Sequence, residues 1–351
     1  MSGMPDDWGV DRRGQVGTAN RPPQKLPRWM RVRPRRPRWG RRLGMVLLVL
    51  LVLLVGLAVW VDLRLNRVDA LTDYAERPAA TPGADWLIVG SDSREGLTGE
   101  RRRELGTGDA AGRRADTMML LHIPRGTGPP TLVSLPRDSY VPIPGRGRNK
   151  LNAAYAFGGP KLLAQTVEQV TDIRIDHYME IGFDGFASVV DAVGGVRICV
   201  KEPINDPNAA LRLKAGCQEL NSRQALGYVR TRASARGDLD RVERQQEFMG
   251  ALIDKATSPG VLLNPFRNVR LATSGTDSIA VDDGDHVWHL VRFPFAMRSV
   301  SNGGGVATTV PVAGTETVPG AGSVVRWDRQ KAIALFEALR QDRPVQAPTG
   351  G

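Results

Sequence analysis

Arginines cluster in the stretch 228–246, where the residue types could bind a multiply charged anion. Val229 and Thr231 favour a strand, and side chains alternate along a strand, so Arg230 and Arg232 are expected on one face. Two guanidinium groups just ahead of a helix N-terminus would suit a diphosphate. A solvent-exposed face with ordinary ion pairs to nearby carboxylates is the alternative. The stretch alone leaves both readings open.

A helix is predicted directly after this strand. Asp240 can act as its N-cap, with Glu243 at the third helical position. Apolar spacing then directs one face inward, through Val242, Met249, Leu252 and Ile253. The other face is expected to present Arg241, Arg244 and Gln245.

Three further segments place charge at strand ends. Buried strands are predicted over 86–89, 118–123 and 131–135, and a Gly- and Pro-rich turn joins the last two into a hairpin. A site at one edge of a sheet requires such placement, although strand ends are often exposed and charged without any function. The charged residues are Asp92 after the first strand, Arg114 and Asp116 before the second, and Arg137 and Asp138 after the third.

Strands and helices alternate through the rest of the chain. The pattern predicts strands over 178–181, 196–200 and 307–312, and helices that begin at Pro160, Phe183 and the residue after Asn221. A helical pattern also covers 282–297, and Asp328 is placed to cap a last helix. The fold class is therefore α/β or α+β. We expect a single extracytoplasmic domain with a central mixed β-sheet flanked by helices, where the location follows from the charge pattern near the N-terminus.

The net positive charge is distributed unevenly along the chain, and most of it lies near the N-terminus. Residues 1–43 hold twelve Lys or Arg and three Asp, which accounts for +9 of the net charge of +11. The following residues, 43–61, are uncharged and apolar, and a helix of this length would span ~28 Å. We predict a single-pass membrane protein. Because arginines precede the apolar run, the N-terminus is expected in the cytoplasm and the later residues outside the cell.

This topology sets the predicted organisation. We expect a disordered basic tail over 1–42, a transmembrane helix over 43–61, a stalk over 62–84, a catalytic domain over 84–258, a continuation of the ectodomain over 259–340 and a frayed tail over 341–351. The sequence holds two cysteines, Cys199 and Cys217, both on the outer side. Disulfides persist outside the cell, and no zinc-like ligand spacing surrounds this pair, so a disulfide is the favoured reading over free thiols.

Six short motifs, in order, resemble the LytR-CpsA-Psr family of bacterial envelope proteins. They begin at Gly90, Arg114, Ser134, Lys150, Tyr228 and Gly237, and read GSDSR, RADT, SLPRDS, KLNAAY, YVRTR and GDLDRVERQQ. The resemblance covers roughly residues 84–258. It implies transfer of a glycopolymer from a polyprenyl diphosphate carrier onto peptidoglycan, with formation of a phosphodiester and with a divalent cation, Mg²⁺ or Mn²⁺, at the diphosphate.

The resemblance also implies roles for individual residues. Asp92 and Asp116 are the expected cation ligands, and Asp92 is the candidate for activating the acceptor hydroxyl. Phosphoryl transfer depends on positioning and on neutralising oxygens, which suits an arginine clamp. The clamp is expected to contain Arg114, Arg137, Arg230 and Arg232, with supporting roles for Lys150, Asp238, Arg241 and Gln245. An apolar tunnel between sheet and helices is expected to hold the lipid tail.

Other functions are compatible with parts of the sequence. A membrane-tethered regulator could bind nucleic acid through its basic tail, but the tail has no recognisable recognition helix and its arginines suit anionic lipid. A wall-glycan or lipid-binding protein without catalysis is a second alternative, and hydrolysis of the carrier diphosphate is a third. Arabinogalactan, teichoic acid and capsule all remain open as the polymer.

Overall fold

The computed structural model describes residues 39–92, 100, 105, 115–231, 238–262, 273, 276 and 279–345, without the side chains of 238, 239, 242, 243 and 262. The chain forms two compact units, Met1–Leu53 and Leu54–Gly351. Residues 1–38 of the predicted basic tail, Arg114 and Arg232 lie outside the described residues, whereas residues 39–42, predicted as disordered tail, are helical.

The described residues form these strands, in chain order: β1 (Asn66–Val68), β2 (Ala84–Ser91), β3 (Ala115–Ile123), β4 (Thr131–Ser134), β5 (Tyr140–Ile143), β6 (Gly147–Lys150), β7 (His177–Ile181), β8 (Val196–Val200), β9 (Ile204–Asp206), β10 (Leu211–Leu213), β11 (Gly216–Leu220), β12 (Ile279–Asp282), β13 (Val306–Thr309), β14 (Val312–Val318) and β15 (Gly322–Trp327). Their helices are α1 (Trp39–Arg64), α2 (Leu151–Thr171), α3 (Phe183–Val193), α4 (Ser222–Arg230), α5 (Asp238–Ala256), α6 (Pro259–Leu262), α7 (Val287–Leu290), α8 (Arg292–Ser301) and α9 (Arg329–Arg340).

The helix α1 contains the apolar run predicted to cross a membrane. Among the described residues it is the one helix long and apolar enough to do so. Its 26 residues correspond to ~39 Å of helix, which exceeds the hydrocarbon thickness of a typical bilayer. The helix therefore fits a single-pass membrane anchor.

A seven-stranded mixed sheet in the order β1-β12-β7-β2-β3-β4-β13 organises the second unit. The central strands β2, β3 and β4 are antiparallel, whereas β7 joins β2 in parallel. Because side chains alternate along a strand, Leu87 and Val89 enter one core and Trp86 and Ile88 another. The predicted fold class, a central mixed sheet flanked by helices, is confirmed.

Helices cover both faces of this sheet. On one face α2 and α9 pack against Leu87 and Leu120, and on the other α8 packs through Phe293 and Met297. A third core joins α3, α4 and α5 to the small strand pairs that follow β7, and it includes Phe186, Leu226 and Phe248. This third core positions the candidate site, because its helices lie beside the ends of β2 and β3.

One prediction that fails concerns the arginine stretch itself. The residues 228–230 are not a strand but the last turn of α4, and Thr231 is its extended C-cap. Asn221 and Gln224 form a reciprocal capping box that starts the helix, as predicted, and Ala225 and Leu226 are buried. Helix propagation and burial outweigh the β propensity of Val229 and Thr231, which is a weak preference that tertiary packing overrides.

Two helix starts also differ from prediction. The helix α5 begins at Asp238, two residues before Asp240, so Asp240 is not its N-cap. The helix α2 begins at Leu151 instead of Pro160, with a kink at Gly158 and Gly159. A proline is tolerated in a first helical turn, and Pro160 here opens the segment after the kink.

The predicted stalk over 62–84 is wrong in its central part. Strand β1 pairs with β12, and the backbone amides of Ala70 and Leu71 donate to Asp282. The Arg77 guanidinium also forms a buried ion pair of 2.9 Å with Glu168. These residues therefore belong to the folded unit. The sheet likewise takes β12 and β13 from beyond residue 258, where the predicted catalytic domain ended.

The predicted helical pattern over 282–297 is only partly right. Strand β12 runs through Asp282, and the helical segments α7 and α8 follow it. The helix capped by Asp328 is confirmed, because its carboxylate accepts from the backbone amide of Lys331.

Candidate functional site

A β-bulge places Asp116 at the end of the central strands. The register of β2 and β3 pairs Gly90 with Thr117 but Ser91 with Ala115, so Asp116 is an extra residue on β3. Bulges re-aim side chains and are common beside active sites. The Asp116 side chain is about one-third exposed and lines a cavity at this end of the sheet.

The cavity has a volume of about 220 Å³ and lies between the ends of β2, β3 and β7 and the helices α3, α4 and α5. Most of its lining is apolar, from both the sheet and the helices, and includes Ile88, Met119, Ile181, Phe186, Leu226 and Phe248. Its polar lining consists of Ser91, Asp116, Thr117, Arg230, Arg241 and Gln245. A pocket with an apolar body and a few convergent polar groups is a typical ligand site.

A chain of alternating charges extends from Asp116. Arg137 Nη1 donates to Asp116 Oδ1 at 2.6 Å, and Arg137 Nε lies 3.4 Å from Asp138 Oδ2. The ammonium group of Lys150 lies 2.9 Å from Asp138 Oδ1. Three residues that the sequence assigned to the site are thus brought together. Asp138, which was noted only as a strand-end charge, connects two of them.

Backbone hydrogen bonds fix this group of residues. Asn152, in the first turn of α2, donates its amide to the carbonyl of Arg137 at 3.0 Å, and Leu151 donates to the carbonyl of Ser139. Lys150 directly precedes that helix. These bonds attach the turn after β4 to the start of α2. Arg137 lies in that turn and Lys150 directly precedes the helix, so the two cations are held on neighbouring segments.

A second cationic group lies across the cavity. The guanidinium carbon of Arg230 sits 5.0 Å from the ring centroid of Phe183, a cation–π contact. Arg241 on α5 is buried, with 8% of its surface exposed, although the sequence placed it on an outward face. Gln245 Nε2 donates to the Val229 carbonyl at 3.1 Å. Side chains of α5 thus hold the last turn of α4 beside the cavity.

The segment after Arg230 is anchored by a contact that the sequence did not predict. Thr231 Oγ1 donates to Asp206 Oδ2 at 2.6 Å, and both residues are buried. Asp206 Oδ1 also accepts from the backbone amides of Asn208 and Ala209. Arg244 Nη2 adds a hydrogen bond to the Thr231 carbonyl at 3.1 Å.

Ser91 is another residue that sequence reasoning missed as part of the site. It is buried, with 1% exposed, and it lines the cavity. Its hydroxyl has no hydrogen-bond partner within the described part of the chain. Leaving such a group unsatisfied costs about 1–3 kcal/mol, and its place in the cavity lining makes the Ser91 hydroxyl a candidate contact for a ligand. The signal in the sequence was its position next to Asp92.

The remaining predicted residues are placed as follows. Asp92 follows β2 directly and is half-buried. Asp238 begins α5, but its side chain is not described, and Arg114 and Arg232 lie outside the described residues. The arginine clamp therefore stays a prediction; Arg230 lines the cavity, and Arg137 is paired with Asp116, which also lines it.

The oxygen groups at the end of β2 fit a hard divalent cation. Mg²⁺ prefers one or two carboxylates together with phosphate oxygens and water, and Mn²⁺ takes similar ligands. Asp92 is adjacent to Ser91, and Asp116 is adjacent to Ala115, the residue that pairs with Ser91, so their oxygens are candidate ligands at one end of the sheet. Asp116 is also paired with Arg137. These protein oxygens alone therefore do not form a complete set of cation ligands, and a ligand would have to complete it.

A different cluster, formed by His177, Asp285 and His289, has its donor atoms within 4.8 Å of one another. It lies at the start of β7, whereas Ile181 at the end of that strand lines the cavity. Asp285 already pairs with His177 Nδ1 at 2.5 Å and accepts from the Tyr178 amide at 3.1 Å. Hydrogen bonds within the protein account for this cluster.

The predicted disulfide between Cys199 and Cys217 is confirmed. The two residues face each other across the antiparallel pair β8–β11. Strand β11 leads to Asn221, the N-cap of α4. The crosslink therefore fixes the entry to the helix that carries Arg230.

These features define a class of protein: an α/β domain with a helix suited to anchoring it in a membrane and a cationic group at the mouth of an apolar cavity. Residues 67–280 match the LytR_cpsA_psr family model. The chain belongs to the LytR_cpsA_psr family.

Two curated relatives agree with this assignment, and a solved structure shares the fold. The chain is 54% identical over 296 residues to the "Probable cell wall biosynthesis protein LcpB" of Corynebacterium glutamicum, covering 84% of this chain and 70% of LcpB. It is 34% identical over 248 residues to the "Polyisoprenyl-teichoic acid--peptidoglycan teichoic acid transferase TagU" of Oceanobacillus iheyensis, covering 64% and 72%. The fold resembles the "LytR-Csp2A-Psr enzyme from Actinomyces oris", with a TM-score of 0.60 and 24% identity over 79% of this chain and 96% of that one.

Proposed function

We propose that this protein is a phosphotransferase that moves a glycopolymer from a polyprenyl diphosphate carrier onto peptidoglycan in cell wall assembly. The observation that carries the proposal is the cavity itself, whose apolar body adjoins Arg230, Arg241 and the pair Arg137–Asp116. A lipid tail requires an apolar environment and a diphosphate requires a cationic one, and in the carrier the two groups are side by side. The name of the TagU relative supports a polyisoprenyl donor and a peptidoglycan acceptor.

The cationic residues would bind and orient the diphosphate. An arginine presents parallel N–H donors that match phosphate oxygens, whereas a lysine acts as a point charge. Arg137 is held by two carboxylates and Arg230 by the Phe183 ring, so both are positioned in advance. Positioned charge is the main means by which proteins accelerate phosphoryl transfer.

The transfer step exchanges one phosphorus–oxygen bond for another. An acceptor hydroxyl oxygen of peptidoglycan forms a bond to the phosphorus nearest the sugar, and its proton passes to the carboxylate of Asp92. The bond between this phosphorus and the bridging oxygen breaks, and the lipid monophosphate leaves with the bonding electrons. The product is a phosphodiester between the glycopolymer and peptidoglycan.

A divalent cation would be held by Asp92 and Asp116, with Ser91 as a neighbouring oxygen. When bound, the cation neutralises charge on the diphosphate oxygens. The roles of the protein residues are separate: Asp116 orients Arg137, Arg137 and Arg230 bind phosphate oxygens, and the apolar lining excludes water from the lipid side of the site. Asp92 accepts the proton.

Membrane placement follows from the same proposal. The ectodomain would lie outside the cell with the N-terminus in the cytoplasm, because the arginines precede the apolar run of α1. This orientation places the cavity on the side of the membrane where peptidoglycan is located.

The test is a transfer assay with the purified full chain in a lipid bilayer. It should contain a defined lipid-linked glycopolymer and nascent peptidoglycan, and the products should be separated by size and analysed for phosphodiester. We expect covalent attachment of the glycopolymer to peptidoglycan. Binding of both substrates without attachment would support a non-catalytic wall-glycan or lipid-binding protein instead.

A further inference from the structure

The surface of α7 and α8 carries a stripe of large apolar side chains. Trp288 and Val291 are each 57% exposed and Phe295 is 64% exposed. They stand at positions i, i+3 and i+7 of a nearly continuous helical segment, so they share one face. The opposite face, with Phe293 and Met297, is buried against the sheet. The stripe is thus not needed to form the core.

This stripe stands out from the rest of the ectodomain surface. Among the described residues after α1, the large apolar side chains that are exposed number six, and three of them form the stripe. The other three are Phe157, Val312 and Ile333, on separate elements. Single exposed apolar residues are normal, whereas a contiguous group indicates a surface that contacts something apolar.

The stripe begins beside the end of the membrane helix. Asp62 is the first charged residue after the apolar run of α1, so the membrane–water boundary lies near it. The backbone amide of Val287 donates to Asp62 Oδ1 at 2.9 Å, and His286 Nδ1 lies 3.1 Å from Asp62 Oδ2. The His286 ring also stacks on Trp288, with centroids 4.2 Å apart. These contacts hold Trp288 at the level where α1 leaves the membrane.

The charge of this segment suits lipid headgroups. Residues 287–301 contain Arg292 and Arg298 and no acidic residue. Arg292 is exposed, and Arg298 pairs with Asp254 at 3.0 Å. A helix with tryptophan and phenylalanine on one face and arginine beside them is typical of a membrane-surface helix, and basic residues near a surface bind anionic lipid.

We propose that the stripe Trp288–Val291–Phe295 lies in the headgroup region of the bilayer that α1 spans. The inference rests on α1 as a membrane anchor and does not depend on the transfer reaction. A bilayer is favoured over a protein partner because the stripe is continuous with the point where α1 leaves the membrane. Between Trp288 and Phe295 the helical rise is only ~10 Å, so the whole stripe stays close to that point.

Docking of this surface would also hold the cavity near the membrane. The helix α8 packs against α5, and Ile253 of α5 shares a core with Met297 of α8. Phe248 and Met249 of α5 line the cavity. A membrane-apposed α8 therefore limits the distance between the cavity and the bilayer from which a lipid-linked donor is drawn.

The test uses the full chain reconstituted into vesicles of phosphatidylcholine and phosphatidylglycerol in equal parts. An environment-sensitive fluorophore is attached to Phe295→Cys and, separately, to Val291→Cys, since the native cysteines are joined in a disulfide. The control is Ile333→Cys on α9, because Ile333 is 55% exposed but lies outside the stripe. Emission is recorded with and without lipids that carry a nitroxide near the headgroup.

We expect blue-shifted emission and strong quenching by the nitroxide lipid at the Phe295→Cys and Val291→Cys labels, and neither effect at the Ile333→Cys label. Quenching of the stripe labels by aqueous iodide, with none by lipid nitroxide, would overturn the proposal. Protection from both quenchers would also overturn it, because it would place a second copy or another protein on the stripe.

Discussion

The hydroxyl of Thr231 donates to the carboxylate of Asp206 across 2.6 Å, although the two residues are 25 positions apart in the chain. This buried contact joins the C-terminus of α4 to the small strand pair β9–β10. Arg230, which reaches the cavity, directly precedes Thr231. The hydrogen bond therefore fixes the backbone from which one cationic side chain of the candidate site projects.

Thr231→Val should remove the hydrogen bond to Asp206 while keeping the shape of the side chain. The buried Asp206 carboxylate would lose one of its partners, at a cost of about 1–3 kcal/mol. We expect a lower unfolding temperature and a raised KM for the lipid-linked donor, because Arg230 would be less well positioned. Thr231→Ser keeps the hydroxyl and should restore both. If a folded Thr231→Val variant has the same KM as the unchanged protein, Thr231 does not contribute to donor binding.

Replacing Arg230 tests the geometry of the clamp. Arg230→Lys keeps the charge but loses the planar fork, so transfer should fall about tenfold or more, and Arg230→Ala should be worse. Thermal unfolding should change little, because the side chain is half-exposed. Arg223→Ala is the matched control, since Arg223 is an exposed arginine in the first turn of the same helix. Arg232→Lys is predicted to behave like Arg230→Lys. Normal transfer by both Arg230→Ala and Arg232→Ala would show that the two arginines are not part of the site.

The proposed cation should bind weakly without donor and more tightly with a diphosphate. Asp92 and Asp116 alone form an incomplete ligand set, and phosphate oxygens would complete it. Titration calorimetry with Mg²⁺, in the presence and absence of a soluble diphosphate, measures this difference. Transfer should stop with a chelator and in Asp92→Ala. Full turnover under either condition would contradict a cation at these carboxylates.

Filling the cavity should discriminate between donors by the length of their lipid. Val229→Trp adds bulk to an apolar wall of the cavity, so long polyprenyl donors should bind less well while short-chain analogues keep much of their transfer rate. Ile333→Trp, at an exposed position of α9, is the control. Equal losses with long and short donors would mean that the cavity does not hold the lipid.

His122 should make the stability of the fold depend on pH. It is buried on β3, with Nδ1 2.9 Å from Asp85 and Nε2 3.0 Å from Asp342, which follows α9. Burial lowers the pKa of His122, but the two carboxylates outweigh it and raise this pKa above its ordinary value. The folded protein therefore keeps a proton that the unfolded chain releases near pH ~6.5.

The stabilisation by His122 is fully present below that pH and is lost as the pH rises through the raised pKa of the folded state. We expect the unfolding temperature in detergent to fall from about pH 6 to about pH 9, and to fall less in His122→Gln. The difference between the two curves isolates this residue. Parallel curves would show that His122 carries the same charge in both states.

Local patterns were sufficient for much of the fold. Buried runs such as 86–89 and 118–123 identified the central strands, and charges at their ends identified Asp116 and Arg137 as neighbours. The cysteine pair followed from compartment and spacing. These features depend on residues close in sequence or on simple periodicity.

Long-range pairing explains what could not be predicted. Strands β1 and β12 are short and lie more than two hundred residues apart, so neither has a local signature of its partner. The bulge at Asp116 depends on the register between two strands, and the Thr231–Asp206 contact depends on packing of the third core. At Val229 and Arg230 the local preference for a strand competes with helix formation, and burial of α4 decides in favour of the helix.

The most direct test of the central claim is to measure both products of the reaction in the same vial. With the full chain in a bilayer, lipid-linked donor and nascent peptidoglycan, we predict that lipid monophosphate and the glycopolymer–peptidoglycan phosphodiester appear in equal amounts. Both should be lost in Asp92→Ala. Release of lipid monophosphate without phosphodiester would contradict transfer, because water and not peptidoglycan would then be the acceptor.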